Sequence, residues 1–251
     1  MKRLLFALTG LVVLAAVAVV AYVGVSLWRD DDPELLTSAP EIPAGIDQPA
    51  ASPTPPAGPT PAASTGVLRF VVDPAQSSAT YVVREKLARL PIENDASGTT
   101  QDVATGDVTG ELHLTPQGLA ESTQSSFRVD LNTLTSDERL RDNFVRNSTL
   151  QTNQANNRYA QFTIDSVSGF PDGYVEGQEV TLSLTGQMTI HGVTRPVEWQ
   201  VKARRAGEFL TATADTSFNM SDFGINPPNV PTARSEDLLR LQVVLVARQA
   251  T

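Results

Sequence analysis

The sequence contains no cysteine. That single absence removes thiolate catalysis, disulfide staples and cysteine-ligated metals. Histidine is nearly absent as well. Only His113 and His191 occur in 251 residues, so a three-histidine metal site within one chain is excluded. No metal centre and no cofactor are expected from such an inventory. Basic residues are the minority, 19 against 28 acidic ones, for a formal net charge of −9. A surface of that sign repels phosphate backbones, so no nucleic-acid partner is expected. The lack of cysteine does not fix the compartment, because an exported protein need not use disulfides.

Charge is also missing from one long run. Leu4 to Leu27 carries no ionisable side chain except the tyrosine phenol of Tyr22. That length suffices for a membrane-spanning helix, which needs about 20 residues. Lys2 and Arg3 precede the run and Asp30, Asp31 and Asp32 follow it. By the positive-inside rule, residues 1–3 are cytoplasmic, 4–27 form a single-pass anchor, and the remainder is extracytoplasmic at the cell membrane. The alternative is a cleaved signal peptide, whose apolar region normally runs about 7–15 residues. Residues 28–66 are rich in Pro, Ala, Ser and Thr, as in "QPAASPTPPAGPTPAAS". Such a composition buries too little apolar surface to fold, and its prolines favour extended segments. It reads as a disordered stalk. A docking site for a proline-reading partner is the lesser alternative, since no basic residue flanks a P-x-x-P here.

From residue 67 to 250 the texture changes to short alternating runs. "SATYVV" sets Ala79, Tyr81 and Val83 on one side, and "SFRVDLNTL" sets Phe127, Val129 and Leu131 against Arg128, Asp130 and Asn132. Similar runs are "VLRFVVD", "DVTGELHL", "AQFTIDSV", "EVTLSL", "FLTATADTSF" and "LRLQVVLVA". Period-two alternation in many short segments predicts an all-β antiparallel sandwich or barrel. One stretch differs. In "DERLRDNFVRNSTLQ", Leu140, Phe144 and Val145 fall at helical spacing, predicting a short amphipathic helix over Ser136–Arg146 with Ser136 or Asp137 as its N-cap. No repeat of fixed period is present.

Four ordered pieces of this region resemble the YceI-like domain, a bacterial lipocalin-like barrel. They are "FVVDPAQSSATYVV", "TSDERLRDNFVRNSTLQTNQANNRYAQF", "LTGQMTIHGVTRPVEWQV" and "MSDFGINPPNVP". The last three carry an Arg-Asp pair before an aromatic, a His-Gly-Val-Thr turn, and an Asp-Phe-Gly segment. The chain departs from the pattern at Gln76, where the family often has His, at Ala160, where it often has Pro, and at Asn219 or Met220, where Arg is common. The resemblance implies a single barrel of about eight strands with a short helix, able to hold an amphiphile with a long apolar tail, such as a polyisoprenoid. An eight-stranded barrel has room either for a packed interior or for one small ligand.

The candidate residues divide by this reading. Tyr81, Val83, Phe127, Val129, Phe162, Leu182, Leu184, Met188 and Trp199 are expected to line the cavity, because period-two strands commit one face to the barrel interior. Ordinary core packing explains the same pattern if the barrel is filled, for these residues and for Phe218. No polar side chain on those faces is expected to provide a headgroup site. His191 and Gly192 read as a hairpin turn, and His113 as a solvent-facing or mouth residue. Arg141 and Asp142 admit three readings: a solvated charge pair, an Arg141 that pins the helix over a barrel end, or an Arg141 that binds an anionic headgroup. Asp222, Phe223 and Gly224 lack the glycine loop of a kinase and read as a turn, with Phe223 plugging the barrel. No nucleophile pairs with either histidine, so no catalytic residue is assigned and an enzyme is not expected. The expected function is an anchored lipid-binding protein for an isoprenoid or other long-chain molecule. The alternative is a ligand-free structural or interaction barrel of the cell envelope, in a stress-related setting, with a homodimer or an envelope protein as partner.

Overall fold

Alternating apolar residues become strands because a pleated chain sends successive side chains to opposite faces. A computed structural model describes residues 35–43, 66–88, 93–100, 106–115, 118–171 and 173–250. The described residues belong to one compact unit that begins at Leu35. The expected anchor at 4–27 lies outside them; among the described residues no helix is long and apolar enough to cross a membrane.

In chain order the strands are β1 (Leu68–Val72), β2 (Ser78–Leu87), β3 (Glu93–Thr100), β4 (Val108–Thr115), β5 (Gly118–Leu119), β6 (Ser126–Asp130) and β7 (Leu134–Thr135). After the helix α1 (Arg139–Phe144) come β8 (Tyr159–Ser168), β9 (Val180–Ile190), β10 (Val193–Ala206), β11 (Phe209–Asn219), β12 (Asn229–Val230) and β13 (Ala233–Gln249). Neighbours run β1-β4-β6-β8-β9-β10-β11-β13, and β1 pairs back onto β13. The result is an all-β, antiparallel, eight-stranded closed barrel with one short helix. β13 makes the closure by serving two partners on one edge. Its residues Ala247–Gln249 pair with β1, while Ala233–Val244 pair with β2. β3 then pairs β2 and β7, extending the wall at one end. Closure satisfies edges that would otherwise invite foreign strands.

Several local expectations are corrected. The helix is shorter than Ser136–Arg146: α1 spans Arg139–Phe144 with Glu138 as N-cap, and a π-turn, Val145–Thr149, follows. Ser136 does not cap it. Instead its backbone N–H and hydroxyl donate to buried Asp142 at 2.8 and 2.6 Å. Leu140 points outward, 74% exposed, so it is not part of an apolar face. The strand β3, "ENDASGTT", has no apolar alternation to announce it; only Ala96 is a buried hydrophobe there.

The linker differs as well. Residues 35–43 are not a free stalk but lie on the outer side of β10, β11 and β13. The Gln242 side chain clasps Leu36, accepting from its N–H at 2.8 Å and donating to its carbonyl at 2.9 Å. Thr213 donates to the Ser38 carbonyl at 2.9 Å and Thr211 to the Pro40 carbonyl at 2.7 Å. Glu179 accepts from the Ala39 N–H at 2.9 Å and also from the Ser38 hydroxyl, while Arg204 pairs with Glu41 at 2.6 Å. Thr211, Thr213 and Ala39 are consequently buried. Composition failed here because the binding partners of the strap lie some 140 to 206 residues away. The rest of the expected stalk is outside the described residues, apart from Gly66.

Candidate ligand cavity

The inward rows meet in register around the barrel. Phe127 stands opposite Phe162, and Phe162 opposite Met188. Leu184 stands opposite Trp199, and Val201 opposite Ala214, whose next neighbour is Val243. Tyr81 and Val83 face Leu241 and Leu239. These faces enclose a cavity of about 900 Å³, within the roughly 300–1,000 Å³ of small-molecule sites. All the residues expected on the wall, Tyr81, Val83, Phe127, Val129, Phe162, Leu182, Leu184, Met188 and Trp199, line it.

Two sequence features keep the barrel from filling. The wall of β10, β11 and β13 carries small side chains: Ala203, Ala212, Ala214 and Ala247 all line the cavity. The large rings elsewhere lie down over glycines. Tyr81 is paired with Gly98, and a Cβ at Gly98 would come within 2.5 Å of its ring. Phe127 is paired with Gly110, where a Cβ would again sit 2.5 Å from the ring. A flat ring contributes apolar area without occupying the lumen. Phe162 and Trp199 meet edge to face, centroids 5.9 Å apart. The Trp199 indole N–H is buried without a partner.

The mouth is marked by residues 169–171 and 173–179, between β8 and β9. Of the large apolar residues on the cavity wall, Phe170 and Tyr174 are the exposed ones among the described residues, at 40% and 37%. The Tyr174 hydroxyl accepts from the Arg205 N–H at 2.6 Å and donates to the Arg205 carbonyl at 2.8 Å. Deeper in, burial pushes the Tyr81 phenol up to about 12, against the opposing charge of Arg141. Tyr81 therefore stays a neutral donor at any physiological pH.

A YceI-like domain model matches residues 70–247. The chain belongs to the YceI-like family. Among curated proteins, a UPF0312 protein of Pseudomonas fluorescens (strain SBW25) is 38% identical over 66 residues, 24% of this chain and 34% of that protein. The chain thus matches about a third of that relative's length. BcnA of Burkholderia cenocepacia is similar in structure, with TM-score 0.51 and 18% identity over 72% of this chain and 99% of BcnA. A polyisoprenoid binding domain from Saccharophagus degradans, implicated in plant cell wall breakdown, gives TM-score 0.52 and 14% identity over 73% of this chain and 99% of that domain. At those identities the structural likeness shows fold alone.

The residues that carry the YceI-like signature hold the barrel ends. His191 and Gly192 have φ of 54° and 74°, the two left-handed residues of a tight hairpin between paired Ile190 and Val193. The His191 Nε2 is buried and unpartnered. Phe223, 1% exposed, packs edge to face on Phe218 at 4.7 Å, and Gly224 (φ 69°) ends that turn. Asp222 is exposed. Arg141 donates to Glu85 on β2 at 2.6 Å and also pairs with Asp137. Burial lowers its affinity for a proton, but Glu85 and Asp137 more than offset that and hold it above its ordinary value. Its guanidinium is thus committed to carboxylates, not to a headgroup. The departures from the family pattern have local roles. Gln76 donates to Asp73 at 2.7 Å, Ala160 lines the cavity, and Met220 is buried.

Two expectations are corrected at this level. His113 is not solvent-facing: it is 8% exposed, with its backbone N–H bonded to Ser125 Oγ at 2.9 Å and its carbonyl to the Ala120 N–H. Arg128 is exposed, as its alternation with Phe127 and Val129 implies, and its guanidinium stacks 4.5 Å from the Tyr159 ring centroid. The inner faces are also not free of polar groups. Arg205 shares the parity of Trp199, Val201 and Ala203 on β10, is paired with inward Leu210, and lines the cavity. The alternation that located Trp199 extends to Arg205, so the signal was present; the charge masked it.

Proposed function

We propose that the barrel holds or carries a long-chain apolar molecule of isoprenoid type. The observation that carries this reading is the cavity, about 900 Å³ and lined almost wholly by aliphatic and aromatic side chains. A filled interior would have favoured the structural-barrel alternative. The polyisoprenoid binding of one structural neighbour points the same way. No nucleophile–base pair faces the lumen among the described residues, which favours binding over catalysis. The run Leu4–Leu27, without acidic or basic side chains, with Lys2 and Arg3 before it and the Asp triplet after it, supports a single-pass anchor with the barrel on the extracytoplasmic side. Protease added to intact spheroplasts then cleaves the barrel free; complete protection rules this topology out.

Burying one methylene contributes about 0.8 kcal/mol, so affinity climbs with chain length until the lumen is full. Leu184→Arg places an unpaired charge on the cavity wall between Trp199 and Val167. Isoprenoid alcohols of increasing length, titrated into parent and variant, decide the matter by native mass spectrometry. A folded Leu184→Arg protein that binds as well as the parent, or a parent that binds no chain of any length, removes the carrier reading.

A further inference from the structure

We infer that Arg205 is a headgroup receptor at the cavity mouth, selecting amphiphiles that end in a carboxylate or phosphate. The inference rests on the lipid-binding reading and adds the polar end of the ligand to it.

On β10, Trp199, Val201, Ala203 and Arg205 share the inward face, so the strand delivers a guanidinium to the lumen at its C-terminal end. There Arg205 reaches toward β1, its guanidinium carbon 5.7 Å from the ring centroid of fully buried Phe70. In ring order β10 and β1 are separated by β11 and β13, so the side chain crosses the barrel end. The other arginine on this stretch behaves differently. Arg204 turns outward to Glu179 and Glu41. Arg205 forms no ion pair among the described residues, and its Nε–H is buried without an acceptor. No carboxylate lines the cavity among the described residues.

Arg205 is half-buried, and a guanidinium N–H taken out of water without an acceptor is costly unless something supplies one. The protein could have supplied it, being acidic overall. Among the described residues it does not, although Arg204, the adjacent residue on β10, is paired with two carboxylates. The planar fork of a guanidinium matches two oxygens of a carboxylate or phosphate. The position also suits a headgroup: Tyr174, bonded to the backbone of Arg205, and Phe170 form the exposed apolar lip beside it. A tail inserted past this lip runs toward Trp199 while its polar end stops at Arg205.

The test uses the full chain, purified in detergent and stripped of lipid, with two matched pairs of probes. Geranylgeranyl phosphate is compared with geranylgeraniol, and palmitate with hexadecanol, by native mass spectrometry. The parent is expected to prefer the anion of at least one pair by roughly tenfold or more, the scale of a charge-assisted hydrogen bond. The pair that shows the preference distinguishes a phosphate from a carboxylate source. Arg205→Gln should abolish the preference while leaving alcohol affinity within about threefold, and Arg205→Lys should keep part of it. Circular dichroism and thermal melting check that both variants fold. If Arg205→Gln does not fold, the parent and Arg205→Lys arms still decide. Equal affinity for anion and alcohol in both pairs overturns the headgroup assignment and leaves lipid binding intact. A preference that survives in Arg205→Gln also overturns it. Failure of all four probes to bind the parent overturns the carrier reading beneath it.

Discussion

Gln242→Ala tests the strap most directly, because its cost should depend on whether residues 35–43 are there. In the native arrangement Gln242 makes two hydrogen bonds to Leu36, at 2.8 and 2.9 Å, and one to Asp215 at 2.8 Å. Two bonds to the strap at about 1 kcal/mol each give about 2 kcal/mol that vanish with the substitution. In a chain starting at Ala44 those two bonds do not exist, and Gln242 keeps only Asp215. The same substitution should then cost under about 1 kcal/mol. The experiment is a double-perturbation cycle: chains starting at Pro33 and at Ala44, each with Gln and with Ala at 242, unfolded in urea. A coupling of about 2 kcal/mol corresponds to an extra Tm loss of roughly 4–8 °C in a domain of this size. Equal costs in both backgrounds refute strap docking. The coupling should also depend on pH. The Ser38 hydroxyl, followed by the Ala39 N–H and Arg204, outweighs burial and holds the Glu179 carboxyl below its ordinary value of 4.5. A lowered folded pKa contributes stability that is complete above the unfolded value and lost as pH falls through the folded one. Strap docking should therefore be intact at neutral pH and loosen below the usual glutamate range, so the measured coupling shrinks in acid. A coupling that grows in acid contradicts the sign.

Arg141→Ala should destabilise the domain by about 3 kcal/mol, the low end for breaking a buried pair, because Glu85 is left 10% exposed without its partner. Exposed Arg195→Ala, whose side chain makes one 3.3 Å bond to a neighbouring carbonyl, should stay within about 0.5 kcal/mol. Urea unfolding of the two variants decides this, and equal costs mean that Arg141 does not fasten α1 to β2.

Much of this protein follows from local sequence alone. Alternation in "SATYVV", "AQFTIDSV" and "EVTLSL" sufficed to place Tyr81, Phe162 and Leu184 on the inner face, since side-chain direction follows parity within an unbroken strand; the irregularity between Ile164 and Ser166, which brings Val167 inward, was not legible. The turn at His191-Gly192 was likewise legible, because glycine beside a short interruption of two apolar runs marks a hairpin. What parity could not say is whether the inward faces meet or leave space. That depended on which residues stand opposite each other: alanines on β10 and β11, and glycines beneath Tyr81 and Phe127. Cross-strand pairing is a long-range property, and no local pattern states it. The same reason explains β3, a polar strand held by β2 and β7 rather than by its own alternation. It explains the strap, whose composition reads as disordered until Gln242, Thr213 and Thr211 bond its backbone. Arg205 is the clearest division between the two levels. Its parity was fixed by the chain, but only the closed barrel turns an inward arginine into a cation at a mouth whose described lining carries no carboxylate.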